Sequence, residues 1–251
     1  YVEFLFKSGL KYWQILPLGQ TGYGDSPYQS FSAFAGNPYF IDFDILNSEG
    51  ILNKDEYINE NYGDNSEYVD YGLLFNVKYN VLRRAYNNFK SIDNASLKEE
   101  FNNFIKDSKE WLDDYSLYMA VKGKFNLVSW QEWDEDIKKR EPKAMERYRQ
   151  ELADEITFWS FIQFIFFRQW NKLKDYVNEK GIEIIGDMPI YVAEDSADVW
   201  SNPEAYLIDS DTLKPISVSG CPPDAFSETG QLWGNPLYDW NYMDKIGYKW
   251  W

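Results

Sequence analysis

Three stretches of the chain carry side chains able to do chemistry. Residues 19–30 read Gly-Gln-Thr-Gly-Tyr-Gly-Asp-Ser-Pro-Tyr-Gln-Ser and set the rings of Tyr23 and Tyr28 beside the small polar groups of Asp25 and Ser26. Ring faces next to hydrogen-bonding groups suit a ligand with apolar faces and many hydroxyls, and a sugar fits that description. The glycines here do not build a phosphate cradle, because the stretch has no Gly-x-x-x-x-Gly-Lys pattern and no basic residue. Asp187 follows the apolar run 182–186, where a carboxylate can bind hydroxyls or move protons. Asp195 and Asp198, just beyond it, suit capping of a short helix over 196–200. Residues 220–236 offer Asp224, Ser227, Glu228, Gln231, Trp233 and Asn235 on a Gly/Pro-rich loop able to read sugar edges and faces. Their composition fits equally a loop whose rings pack inward.

Composition narrows the chemistry. Among 251 residues there is no His, so Ser-His-Asp and Cys-His nucleophilic schemes and His-ligated metal sites are impossible within the chain. Acid/base work would fall to carboxylates or Tyr. Cys221 is the single cysteine, which forms no internal disulfide, fits a reducing cytoplasm, and has no imidazole to activate it as a nucleophile. The 25 Lys and Arg against 41 Asp and Glu leave a net charge of −16, which argues against nucleic-acid and anionic-membrane partners. Neutral or cationic partners are expected. The most apolar run, 156–167, is well short of the roughly 20 residues needed to cross a bilayer, and the first residues lack the pattern of a secretory signal.

These loops need elements to hold them. Val2, Leu5, Phe6 and Leu10 step along one helical face, with Gly9 at a stop position. The apolar run 12–18 reads as a strand covered on both faces, and 182–192 as a second one. Between them the spacing predicts helices over 71–90, 96–107 and 109–123, then one long helix from Pro142 through Lys180. In that last helix apolar residues occupy several faces, so it should be buried nearly all round, its aromatic stripe serving as core. Residues 206–208 and 216–219 suit a small hairpin, 220–240 an aperiodic loop, and 242–251 a starting helix. The helix, glycine, strand order indicates an α/β fold, yet two strands are a minority of the eight in a complete barrel.

The segments YWQILPLGQTGYGDSPYQSFSAFAGNPYFIDF at 12–43, IGDMPIYVAEDSADVW at 185–200 and PPDAFSETGQLWGNPLYDW at 222–240 closely resemble the bacterial 4-α-glucanotransferases (amylomaltases) of glycoside hydrolase family 77. The resemblance implies a cytoplasmic, metal- and cofactor-independent enzyme that moves α-1,4-glucan segments between maltooligosaccharides by a retaining double displacement. It implies part of a (β/α)8 barrel with a large helical insertion: a barrel segment over 1–48, the insertion over 49–150, and a second barrel segment over 151–251. It also implies an internal portion of such an enzyme, inactive alone, whose nucleophile and acid/base lie beyond Trp251 and whose nearest partner is the remainder of its own barrel. By motif position Tyr28 resembles a residue close to the cleavage point, Tyr23 and Tyr71 an outer glucan patch, and Asp187 a strand-end carboxylate near the transferred sugar. Ser26 resembles a residue lining a glucan subsite, and Trp233 with Asn235 the flap over the acceptor side, to which Asp224, Ser227, Glu228 and Gln231 also belong; Asp25 joins the substrate-binding set from the reading of its loop. A non-catalytic glucan-binding fragment and an α-glucan hydrolase on a related barrel are the alternatives.

Overall fold

The structure, a computed structural model, describes residues 1–22 and 24–251. In chain order its elements are α1 (Val2–Lys7), β1 (Tyr12–Gln14), α2 (Phe43–Ser48), α3 (Tyr71–Ser91), α4 (Ala95–Asp107), α5 (Lys109–Lys124) and α6 (Glu135–Lys138). Then follow α7 (Pro142–Glu151), α8 (Ala153–Glu179), β2 (Glu183–Ile185), α9 (Ala197–Ser201), β3 (Val218–Cys221), β4 (Gln231–Pro236) and α10 (Trp240–Lys245). They divide into two units, one formed by Tyr1–Leu16, Gly36–Leu112 and Thr157–Asp187, the other by Pro17–Ala35, Asp113–Ile156 and Met188–Trp251.

In the first unit β1 and β2 pair in parallel, with Trp13 opposite Ile184. Those two side chains turn toward α1 and α8, where Val2, Leu5, Val177 and Ile182 are buried. Tyr12, Gln14, Glu183 and Ile185 point the other way and are exposed. The strands are therefore shorter than the apolar runs suggest, and one face is open among the described residues rather than covered. Pro17 and Pro189 remove ladder donors just beyond the paired residues, which limits how far the pairing extends.

Helices α3, α4 and α8 build the core of this unit from rings. Phe161 lies 4.8 Å from Phe89, Phe101 lies 5.5 Å from Phe164, and Tyr86 lies 5.6 Å from Phe158, centroid to centroid. Residues 160–166 are buried without a break, so the aromatic stripe is core, as its spacing predicts. Beyond residue 170 only Val177 is buried up to Glu179, which corrects the expectation of burial along the whole helix. The expected single helix is also two, because Leu152 closes α7 at φ −105°, ψ 20° and α8 starts afresh.

A repeated amide device docks the segment after the first loop onto α8. The Gln163 side chain accepts from the Gly36 N–H (2.8 Å) and donates to the Gly36 carbonyl (3.0 Å). Six residues on, Gln169 does the same to Asp42, at 2.8 and 3.0 Å. Gly36 cannot be larger, since a Cβ there would stand 2.0 Å from the Phe166 ring.

The second unit is centred on the later turns of α5 and an indole cluster. Trp133 stacks 5.9 Å from Phe125 and lies 5.6 Å from Trp200, and Trp200 donates to the Ile137 carbonyl at 3.2 Å. Residues 207–216 fold back on themselves, Ile216 N–H donating to Leu207 O at 2.8 Å. The expected partner stretch 216–219 does not finish that hairpin. Instead β3 pairs antiparallel with β4, with a register irregularity between Val218 and Gly220, so 220–240 is no aperiodic loop. Its side chains are mostly exposed from 222 to 233, so no buried face imprints an alternation on the sequence. Gly230, at φ +74°, supplies the left-handed backbone that returns the chain into β4. At the far end α10 covers only Trp240–Lys245, capped by Asp239.

Candidate functional site

The first loop folds back on itself. Thr21 bridges Ser30, Asp25 takes a left-handed conformation at φ 56°, and Gln29 N–H donates to Ser26 O at 3.1 Å. The Ser26 hydroxyl accepts from the Tyr28 N–H at 3.3 Å, which leaves the Tyr28 ring 43% exposed. Asp25 is exposed, and Tyr23 lies outside the described residues. The loop is pinned from below by Tyr115, whose hydroxyl donates to Gln20 Oε1.

The tip of the flap is held by its own polar side chains. Asp224 Oδ1 accepts from the N–H groups of Phe226 (2.8 Å) and Ser227 (2.9 Å), and the Ser227 hydroxyl donates to Gly230 O at 2.7 Å. This turn presents Phe226 94% exposed, an outward ring absent from the sequence-based set of candidates. The Asp-x-Phe spacing of an Asx turn was the signal for it. Glu228 is exposed. On β4 the Trp233 ring is 44% exposed and its Nε1–H donates to Gln231 Oε1 at 3.0 Å, so Gln231 fixes the indole plane.

Loop and flap meet at one amide. Gln29 Nε2 donates to Asn235 Oδ1 (2.9 Å) and to Trp233 O (3.4 Å), while Asn235 Nδ2 donates to Val192 O (2.8 Å). Ser219 adds a contact at 3.4 Å to the same Oδ1. Asn235 is 4% exposed with both ends of its amide engaged, so within this unit it ties elements together and leaves the Trp233 ring to face outward. Nothing in the spacing of Gln29 marks it for this part.

Segment 192–198 is the other anchor, and here the expected roles change. Asp195 does not cap the short helix: its Oδ2 accepts from Lys122 Nζ at 2.6 Å, and its Oδ1 from the Tyr118 hydroxyl (2.5 Å) and the Trp130 N–H (3.3 Å). The cap of α9 is Ser196, which accepts from Val199 N–H. Asp198, inside α9, accepts from Ala33 N–H (2.8 Å) and Trp250 Nε1–H (3.2 Å). A hydroxyl one residue before Asp198's predecessor offered the better cap, which freed both carboxylates for long-range partners. Burial pushes the Asp198 carboxyl up to about 6, partly opposed by these donors. Burial first, then the neighbouring Asp195 charge, raises Glu194.

Asp187 and Tyr71 belong to the first unit. Asp187 stands two residues past β2 and is exposed. Tyr71 opens α3 behind the Asp70 cap, half-buried, its ring 6.0 Å from that of Tyr39.

Across all 251 residues the chain matches the family described as 4-alpha-glucanotransferase, glycoside hydrolase family 77, and it belongs to that family. It is 61% identical over its full length to a 4-alpha-glucanotransferase of Clostridium butyricum and 47% identical to one of Thermus thermophilus. It covers 51% and 49% of those two proteins, so the chain spans about half the length of the curated relatives it matches. Among solved structures it is similar to an amylomaltase from Streptococcus agalactiae in complex with acarbose, with TM-score 0.94, 46% identity, and coverage of 100% of this chain and 50% of that one. The fold is thus a mixed α/β arrangement matching amylomaltase. Among the described residues no helix is long and apolar enough to cross a membrane.

Proposed function

We propose that this chain is the glucan-positioning part of a cytoplasmic 4-α-glucanotransferase that passes α-1,4-glucan segments between maltooligosaccharides. The observation that carries the reading is the frame in which Gln29 and Asn235 lock an exposed tyrosine loop to an exposed tryptophan flap, on a family member similar to an acarbose-bound amylomaltase. In this reading Tyr28 and Trp233 contact sugar faces, while Asp25, Ser26, Asp224, Ser227, Glu228 and Gln231 bind hydroxyls or hold the rings. Asn235 supports the flap from beneath. Tyr23 and Tyr71 take an outer stretch of glucan and Asp187 the transferred sugar.

The one-sided burial of β1 and β2 supports their being neighbours in a (β/α)8 barrel whose interior meets Tyr12, Gln14, Glu183 and Ile185. The reading divides the chain into barrel segments over 1–48 and 151–251 with a helical insertion over 49–150, and takes the rest of the barrel as its partner. The carboxylate nucleophile and the acid/base come from that remainder.

Transfer and hydrolysis share one covalent glycosyl-enzyme, so the outcome depends on whether a sugar hydroxyl or water reaches it first. A glucan lying on Trp233 excludes water and holds its 4-hydroxyl at high effective concentration. Incubating the full-length protein with maltotriose tests this directly. Transfer breaks one glycosidic bond and makes another, so chain lengths redistribute with constant reducing ends. A steady gain of reducing ends without longer products indicates a hydrolase instead, and binding without turnover a glucan-binding protein.

A further inference from the structure

The buried cation of the second unit has no part in the reading above. Lys122 is 2% exposed, on the last turn of α5, and its ammonium has three N–H groups to place. One goes to Asp195 Oδ2 at 2.6 Å and one to Val128 O at 3.1 Å. The ammonium also lies 5.2 Å from the centroid of the Phe31 ring, at the exit of the tyrosine loop. Its partner Asp195 is gripped in turn by Tyr118 and by the Trp130 backbone, and Trp130 Nε1–H donates to Glu194 O at 2.9 Å. Three residues upstream, Val192 O receives the Asn235 amide that carries the flap. Lys122 therefore lies against the loop at Phe31 and bonds the segment 192–195 on which the flap's Asn235 rests, and Gln29 closes the circuit from loop to flap.

We propose that Lys122 and Asp195 are positioning residues for glucan transfer, an ion pair with a buried cation and a half-buried carboxylate that fixes how the tyrosine loop and the Trp233 flap stand to each other. The inference rests on the transferase reading. A pair with one buried member adds little net stability over a well-packed neutral substitute, whereas removing one partner leaves the other charge uncompensated, most severely when the buried Lys122 is the one left. That asymmetry separates the two roles this pair could play. Replacing both members restores neutrality, so stability recovers, but the directional contacts that set the two arms are gone. A displacement of the order of 1 Å at a reacting centre costs up to about a hundredfold.

The test uses the full-length protein with maltotriose, reading transfer as chain-length redistribution and hydrolysis as gain in reducing ends, with melting temperature measured alongside. Lys122→Met alone should lower the melting temperature. The double variant Lys122→Met/Asp195→Asn should melt close to the wild type, yet show a hydrolysis-to-transfer ratio roughly tenfold higher and a raised acceptor KM. Tyr118→Phe, which keeps the ion pair and loses one bond to Asp195, should shift the ratio in the same direction by less, and it serves as the test if the double variant does not fold. If the ratio and acceptor KM return to wild-type values together with stability in the double variant, or stay unchanged in Tyr118→Phe, the pair is structural only and the proposal is overturned. If the wild type itself does not disproportionate maltotriose, the transferase reading fails first and carries this inference with it.

Discussion

Helix α8 and the β3–β4 flap use the same kinds of ring and hold them by opposite means. On α8 the rings of Phe158, Phe161, Phe164 and Phe166 are buried and held by other rings at about van der Waals spacing. On the flap Phe226 and Trp233 stay in solvent, and what fixes them is a set of polar contacts from Asp224, Ser227, Gln231, Gln29 and Asn235. Apolar contact is non-directional, so it secures a ring only by enclosing it. Hydrogen bonds are directional and can fix a ring while leaving its face free. An exposed aromatic in this chain is therefore informative where its backbone is tied down by side chains.

The sharpest contrast is in stability. Phe161→Ala removes a fully buried ring and should cost about 3–5 kcal/mol, read as a drop in the denaturant midpoint. A loss below about 1 kcal/mol would mean that α8 is not held by its rings.

Next comes pH. Asp198 stands at about 6 in the folded chain against an ordinary 3.8, so the folded state keeps a proton that the unfolded state releases. Its contribution is fully present below the unfolded value and lost as pH rises through the folded one, a change of about 3 kcal/mol. Urea titrations between pH 4 and pH 6 should show that decline in the wild type and a flatter profile in Asp198→Asn. Parallel profiles would remove Asp198 as the source.

Trp233→Ala should do the reverse of Phe161→Ala. Stability should hardly change, while in the full-length protein, on the transferase proposal, the acceptor loses about 1.5–3 kcal/mol of contact, roughly tenfold to a hundredfold in occupancy, and hydrolysis gains on transfer. An unchanged acceptor KM would return this ring to a packing role. The smallest effect is expected at Asp224→Ala. Loss of the turn contacts should cost about 1 kcal/mol of local order, visible as faster amide exchange at Phe226 and Ser227 with an unmoved melting temperature.

The same contrast explains what the sequence made legible. The helices of 71–124 and the buried middle of α8 announce themselves, because enclosure imposes a period on the residues that are enclosed. The flap hairpin has no enclosed face between 222 and 233, so its strands leave no alternation to read, and Phe226 goes unremarked beside Trp233. The resemblance of motifs drew attention to Asn235 without indicating that its amide would be spent on Gln29 and Val192. Asp195 illustrates the remaining gap. Ser, like Asp, is a favoured N-cap, and in the fold Ser196 caps α9 while Asp195 meets Lys122 from 73 residues away, a contact that local spacing does not show.

The paired clasps of Gln163 on Gly36 and Gln169 on Asp42 make the helix a ruler. Six residues of α-helix rise about 9 Å, whereas six extended residues would span roughly 20 Å. The facing segment meets the shorter measure by coiling through the turn at Pro38–Phe40. Its length is thereby set from outside: lengthening or shortening the stretch between residues 37 and 41 by one residue would throw one clasp out of step. Deletion scanning should find this short, mostly buried stretch as intolerant of length change as a buried helix, while point substitutions at its exposed Phe40 pass freely.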